Sequence, residues 1–440
     1  MEKLIKYNFL FCLWIFPLTT FLRYFLVFLG YNDFFLNFDY SNCCKIILII
    51  QIFIYLYNIK KKINKLNYFD YIIWILLIAA AVSTLFALNF NVSIFGYRKR
   101  FEGFIAVSMY YSLFLNARNI NRKDNELILK NIIFIGIFNF IYACLQLFTN
   151  APFVLKFKLN WMASGLNYNP NFFGTFMCVA GLISVCLYLF NNKSKIFYFV
   201  SSIIMIVGLV MGQSIGPIIG YTFGIIILLL IIIIKKMNIL KKYFKVILIL
   251  IIVFFATVYS TDYLFNNVYQ YKNTDSYTIK GDIDRIMIYF GELFGISTDN
   301  IKKKTHLLKK KNITLNEIST NRFILWEKSI PIIEDNLLVG VGLDNFGIAY
   351  NEYYDNLLYD KVHNIYLQIL VTNGLIGFIP YMIWLGVIIY LGFKKTSNKI
   401  FILLIPFIGY SIQAIFNISV VDVAPIFYIL GGMIVGFKEE

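Results

Sequence analysis

Apolar residues fall in long unbroken runs along this chain, separated by short polar connections and one long one. The runs lie near 8–29, 43–58, 70–90, 103–117, 127–148, 171–190, 196–212, 216–234, 244–265, 364–393, 399–417 and 420–437. Such runs read as bilayer-spanning helices. They are continuous and lack a period of two, which sets them apart from barrel strands. The fourth is short, and only the turn at 212–217 separates the seventh from the eighth. The pattern predicts an all-α polytopic membrane protein of about 12 transmembrane helices. Residues 1–265 hold helices 1–9, residues 266–363 form one large loop, and residues 364–440 hold helices 10–12.

Charge orients this arrangement. Lys60, Lys61, Lys62 and Lys65 follow the second run, Arg118, Arg122 and Lys123 the fourth, and Lys193 and Lys195 the sixth. A lysine cluster from Lys235 to Lys245 follows the eighth, and Lys394, Lys395 and Lys399 follow the tenth. Every second connection is basic, so the positive-inside rule puts both termini in the cytoplasm and the large loop outside. The net charge of +16 is spread over these clusters and does not make the contiguous basic face that a nucleic-acid binder needs. The opening stretch has a basic start and an apolar run but no small-residue cleavage site, which predicts a retained first helix. With 59% hydrophobic residues and a mean hydropathy of +0.71, the chain has too little polar surface for a soluble domain. Six cysteines lie in or beside apolar runs, without metal-ligand spacing.

One outward connection breaks the charge rule. Gly96-Tyr-Arg-Lys-Arg-Phe-Glu-Gly103 carries three positive charges. It is either a tolerated surface cluster or a site for an anionic ligand, and its opposition to the topology signal favours the site. In the large loop, the lysine-rich segment Lys302–Lys311, with His306, reads as a mobile surface stretch. Beyond it, Ser319, Thr320 or Asn321 can cap a helix. That helix would present Phe323, Trp326, Ile330 and Ile333 as an apolar stripe, with a kink at Pro331. Gly340 and Gly342 supply tight turns after it.

Few residues here can carry chemistry. His363 sits where the loop meets the tenth run. A helix N-terminus lowers an imidazole's pKa, and a neutral imidazole can take a proton from a hydroxyl. A capping or interfacial histidine fits the same position. Arg322, Arg98 and Arg100 can hold a diphosphate through planar forks, although each alone also fits a solvated or headgroup-bound charge. Asn167, Asn169 and Asn171 open the sixth helix. Asparagine caps helices, and amides near a cleft also suit sugar hydroxyls. Gly340-Val-Gly342 lacks the spacing and the preceding strand of a nucleotide loop.

The stretch 321–377 resembles the O-antigen ligase and polymerase superfamily, membrane glycosyltransferases that move lipid-linked oligosaccharides. The resemblance rests on Arg322, Trp326, Gly340, Gly342, Asn345, Phe346, His363, Asn364, Leu367 and Gly374. Arg100-Phe-Glu-Gly103 and Asn169-Pro170-Asn171 are similar to two further family elements, and the helix count and the long loop also fit. Two departures stand out. Many ligases carry Ser-Arg-Gly where this chain reads Ser214-Ile215-Gly216, and Asn336 stands near a frequent proline.

The resemblance implies an inverting, metal-independent glycosyltransferase without a cofactor, in the inner (cytoplasmic) membrane. It would use an undecaprenyl-diphosphate-linked glycan at the outer face, with its diphosphate on Arg322 and on Arg98 or Arg100. His363 would orient or deprotonate the acceptor, and Asn364, Asn345, Asn169 and Asn171 would contact glycan. Partners would be a glycan or lipid A-core acceptor, a chain-length regulator and a flippase. The isoleucine at 215 favours an O-antigen or capsular polysaccharide polymerase over a ligase to lipid A-core or protein. A flippase or transporter is the reading from another class. It predicts buried charges along the spans and internal repeats, whereas polar character here gathers on one face.

Overall fold

The computed structural model describes residues 2–30, 40–60, 68–97, 100–149, 154, 162–268, 278–294, 297–298, 322–355 and 359–438. Among them are sixteen α-helices and no strand. They are α1 (Glu2–Phe28), α2 (Tyr40–Lys60), α3 (Tyr68–Leu85), α4 (Phe90–Phe95), α5 (Phe104–Ala117), α6 (Arg122–Phe148), α7 (Pro170–Phe190) and α8 (Lys195–Met211). After them come α9 (Ile215–Ile234), α10 (Leu240–Tyr263), α11 (Ile279–Leu293), α12 (Arg322–Asp335), α13 (Phe346–Tyr354), α14 (Ile365–Lys394), α15 (Phe401–Gln413) and α16 (Ala424–Val435).

Eight of these, α1, α2, α3, α6, α7, α9, α10 and α14, are long and apolar enough to cross a membrane. The shorter apolar helices are α5, α8, α15 and α16. All twelve coincide with the apolar runs of the sequence. Helix α7 is the hub, buried along nearly its whole length against α8, α9 and α15. Helix α9 turns Leu230, Ile233 and Ile234 outward, the all-round apolar surface that a lipid-facing helix requires. Gly220 lets α9 close on α15, where a Cβ would meet Gln413 Cβ and Gly409 O, both at 2.6 Å. Small residues at such crossings allow backbones to approach where hydrophobicity offers no drive between helices.

Three features differ from the expected elements. The third run ends at Leu85, and a separate short helix α4 follows, capped by the Asn89 side chain on Val92 N–H (3.1 Å). The buried face of α12 is Leu325, Ser329 and Ile332, while Phe323 and Ile330 are exposed. Trp326 and Ile333 of the expected stripe do pack against a satellite core, but its centre shifts to Leu325 and Ile332, which join Val341, Phe346, Tyr350, Val362 and Val371. Helix α12 carries Pro331 within it. The lysine-rich segment with His306, the capping candidates 319–321 and Arg98 lie outside the described residues.

Third, α14 is broken within its length. Gly374 has φ 59° and ψ −166°, a non-helical conformation. The break frees backbone groups inside the bundle, where an unpaired one is costly. The stretch after α12 satisfies them. Val341 and Gly342 donate to Val371 and Thr372 carbonyls (2.9 and 3.1 Å), and Leu375 and Ile376 donate to Leu337 and Leu338 carbonyls (2.9 and 3.2 Å). Ser83 Oγ adds a bond to Thr372 O at 2.5 Å. A Cβ on Gly374 would lie 2.2 Å from Leu338 O, so contact and φ both demand glycine.

Gly374→Ala is expected to destabilise the protein by about 1–3 kcal/mol. Gly386, where an added Cβ would have nothing within 4 Å, serves as control, and Gly386→Ala should change stability by no more than about 1 kcal/mol, in the favourable direction. Thermal unfolding of the detergent-solubilised proteins measures both, and equal midpoints for the two variants would contradict the account of the break.

Candidate functional site

The site is built around five consecutive residues, Asp360 to Asn364, leading into α14. Asp360 receives a two-pronged bond from Arg100, with Nε to Oδ2 at 2.5 Å and Nη2 to Oδ1 at 3.1 Å. Lys361, buried, meets Glu102 Oε2 at 3.0 Å and Asp344 Oδ1 at 2.6 Å. The Val362 carbonyl accepts the Trp326 indole N–H (3.1 Å), and its N–H donates to Gln368 Oε1 (2.9 Å). Asn364 caps α14, accepting from Tyr366 and Leu367 N–H at 3.0 and 3.1 Å. Each of these four residues is fastened in place.

His363 differs. Its backbone is left-handed, φ 57°, an uncommon state for a non-glycine residue. Its Nδ1 is buried and has no hydrogen-bond partner among the described residues. Burial and then the Arg322 charge lower its pKa to about 4, with Arg100 and Lys361 adding to the effect and Asp360 opposing it. The direction matches the sequence expectation, but the leading cause is burial. The imidazole is therefore neutral near pH 7 and retains an unused ring nitrogen, as a proton acceptor requires.

Arg322 is the first residue of α12. Burial lowers its pKa, and Asp282 on α11 counteracts this. The buried Asp282 carboxyl pairs with Arg285. Its pKa stays raised because burial outweighs the pull of Arg285 and Arg322. Helix α11 is tied at its first N–H to Gln213 Oε1 (2.8 Å), two residues before Ile215. Arg100 reaches in from the connection between α4 and α5, its guanidinium over the Phe172 ring at 5.7 Å. Burial raises the Asp360 carboxyl, yet the Arg100 fork overcomes this and leaves it below its ordinary value.

The structure thus brings His363, Arg322 and Arg100 together. The amides have structural partners. Asn345 is fully buried and clamps Asn89, accepting its N–H (2.9 Å) and donating to its carbonyl (3.3 Å). Asn169 caps α7 through Asn171 N–H (2.9 Å), and the Asn171 side chain accepts from the Ser214 hydroxyl. Asn167 Nδ2 bonds Asp422 Oδ2 at 2.7 Å. Arg285, Asp282, Lys361, Glu102 and Asp344 escape a reading of the sequence alone. Glu102 lies inside the Arg-Phe-Glu-Gly element, and Lys361 is two residues before His363, but no local spacing marks either as paired. Among the described residues no three His, Cys, Asp or Glu side chains converge as metal ligands.

Residues 200–382 match the family described as O-antigen ligase. The matched region runs from α8 to past the break in α14, and includes Arg285, Arg322 and His363 but not Arg100. No curated protein matches the chain. Over residues 200–382 the chain is thus similar to the O-antigen ligase family, a match that supports a place in the O-antigen ligase and polymerase superfamily.

Proposed function

We propose that this protein is a membrane glycosyltransferase that polymerises glycan units carried on undecaprenyl diphosphate. The observation that carries the reading is the neutral imidazole of His363, with an unpartnered buried Nδ1, acted on by Arg322 and Arg100. The acceptor hydroxyl gives its proton to the imidazole as its oxygen bonds to the anomeric carbon. The bond from that carbon to the diphosphate oxygen breaks, and its electron pair leaves with the diphosphate. Attack from the face opposite the leaving group inverts the configuration. Arg322 and Arg100, with Arg285 behind them, offset the charge that develops on the leaving group. The transfer needs no metal in this scheme.

The donor also prepares the base. Its diphosphate lies against Arg322 and cancels part of the positive field that holds the imidazole down. Donor binding therefore raises the basicity of His363. The lipid tail stays in the bilayer while the glycan projects from the loop end of the bundle. That end faces away from the cytoplasm, with residues 266–363 outside and both termini inside, as the basic connections dictate. The isoleucine at 215 favours another lipid-linked repeat as acceptor, which makes the product a ladder rather than a single addition.

His363→Ala is expected to lower transfer by on the order of 10²-fold or more without changing the protein's abundance. Arg322→Ala and Arg100→Ala are each expected to lower kcat/KM by roughly 10- to 100-fold, with partial rescue by lysine. Polymer length on gels and transfer from a fluorescent undecaprenyl-diphosphate-linked oligosaccharide measure these effects. Normal polymer from His363→Ala would refute the catalytic role.

The depressed pKa gives a second prediction. A lowered imidazole pKa means that the neutral form persists until the pH falls to about 4. In a His306→Gln background, carbethoxylation of His363 should therefore lose rate only around that pH. Arg322→Gln removes a cation that lowers the value, so the midpoint should move up toward the ordinary histidine value of about 6.5. An unshifted midpoint would separate Arg322 from the imidazole.

A further inference from the structure

Beside the His363 turn lies a buried ion triad that the transfer step above does not use. Lys361 is 2% exposed, Asp344 3% and Glu102 7%. The single ammonium meets both carboxylates, at 3.0 Å for Glu102 and 2.6 Å for Asp344. Burial alone would lower the Lys361 pKa, but Asp344 and Glu102 overcome that and hold it well above its ordinary value. Tyr110 donates to Glu102 Oε1 at 3.0 Å. Asp344 Oδ2 accepts the backbone N–H groups of Tyr97 and Glu102, at 2.5 and 3.3 Å. A cavity of about 80 Å³ opens beside the triad, lined also by Gln368, Asn373 and Ser419.

Stability is a poor reason to keep such a group. Desolvating three charges costs about as much as their attraction returns, and well-packed apolar residues commonly do as well. Its location supplies a better reason. The triad joins three stretches far apart in sequence. Glu102 follows Arg100 by two residues. Asp344 follows the turn that closes the break in α14. Lys361 precedes His363 by two residues and adjoins Asp360, the partner of Arg100. An ammonium is a compact point charge that two carboxylates can approach from different directions, whereas a planar fork is larger and directional.

We propose that Lys361 is a positioning residue, which by bridging Glu102 and Asp344 sets the separation of Arg100 from His363 during glycan transfer. The role rests on the transferase reading given above. A misplaced base harms the transition state more than donor binding, since Arg322, on a different helix, still receives the diphosphate. Small displacements of reacting groups cost large factors in rate.

The test uses the full chain in proteoliposomes, with a fluorescent undecaprenyl-diphosphate-linked oligosaccharide as donor. Lys361→Met should lower kcat by about 10²-fold while the donor KM stays within a few-fold. Lys361→Arg should recover part of the rate. Because Lys361→Met strands two buried carboxylates, the decisive variant is Glu102→Gln with Lys361→Met. It removes the bridge but keeps the net charge of the native triad, two carboxylates and one ammonium giving way to one carboxylate. The role predicts a folded protein with the same loss in kcat and little change in KM. A folded double variant with native kcat would overturn it, as would a loss confined to KM. Failure of the native chain to transfer, or full activity of His363→Ala, would instead bring down the transferase reading and the role that rests on it.

Discussion

Backbone groups buried in an apolar bundle have to be paired, and in this protein the site grows out of that requirement. Helix α14 is interrupted at Gly374, and the freed N–H and carbonyl groups bind the stretch 337–342. That stretch must lie in one register for the bonds to form. Once it does, Asp344 and Asn345 are carried to fixed points beside α4 and α5. The short turn before α14 closes onto them through Lys361. An interrupted helix and its partner strand-like segment thus convert a packing problem into a rigid platform. Irregular backbone at such depth is tolerated where protein surrounds it.

The electrostatics follow from the same platform. Lys361, Glu102 and Asp344 sit buried below the turn, and Arg100 and Asp360 pair at its partly exposed edge. Arg322 approaches from α12 with Asp282 and Arg285 behind it. His363 stands among these charges as the one titratable group of its turn that is neutral near pH 7. Far from this end, Arg118 makes a two-pronged bond to the buried Asp70 (3.2 and 2.6 Å), pinning the start of α3 to the end of α5.

Much of this is legible from the chain. Hydropathy marks long helices because each carries its own signal, and all twelve runs form apolar helices. His363, Arg322 and Arg100 are legible because histidine is scarce here and Arg100 sits in a connection where the alternating charge pattern predicts few cations. What escapes has a common cause. The break at Gly374 depends on residues over thirty positions upstream, and a single glycine in an apolar run looks like any other. The partners of Lys361 lie 259 and 17 residues away (from Lys361 to Glu102 and to Asp344), and periodicity cannot see such pairs. Helix α4 merges with α3 in the hydropathy pattern because the intervening turn is itself rich in apolar residues. Half of the expected α12 stripe packs, Trp326 and Ile333, while Phe323 and Ile330 stay exposed, being as apolar as the residues that pack.

The bonds at Asp360, Lys361, Val362 and Asn364 leave His363 with little freedom in its main chain. Its imidazole can swivel about its own two side-chain torsions, but the main chain that carries it is held. Under the proposed polymerase reading, a growing polymer would have to be threaded past a stationary base after every addition. Processivity would then depend on how the glycan slides, with the protein serving as the fixed station of the cycle.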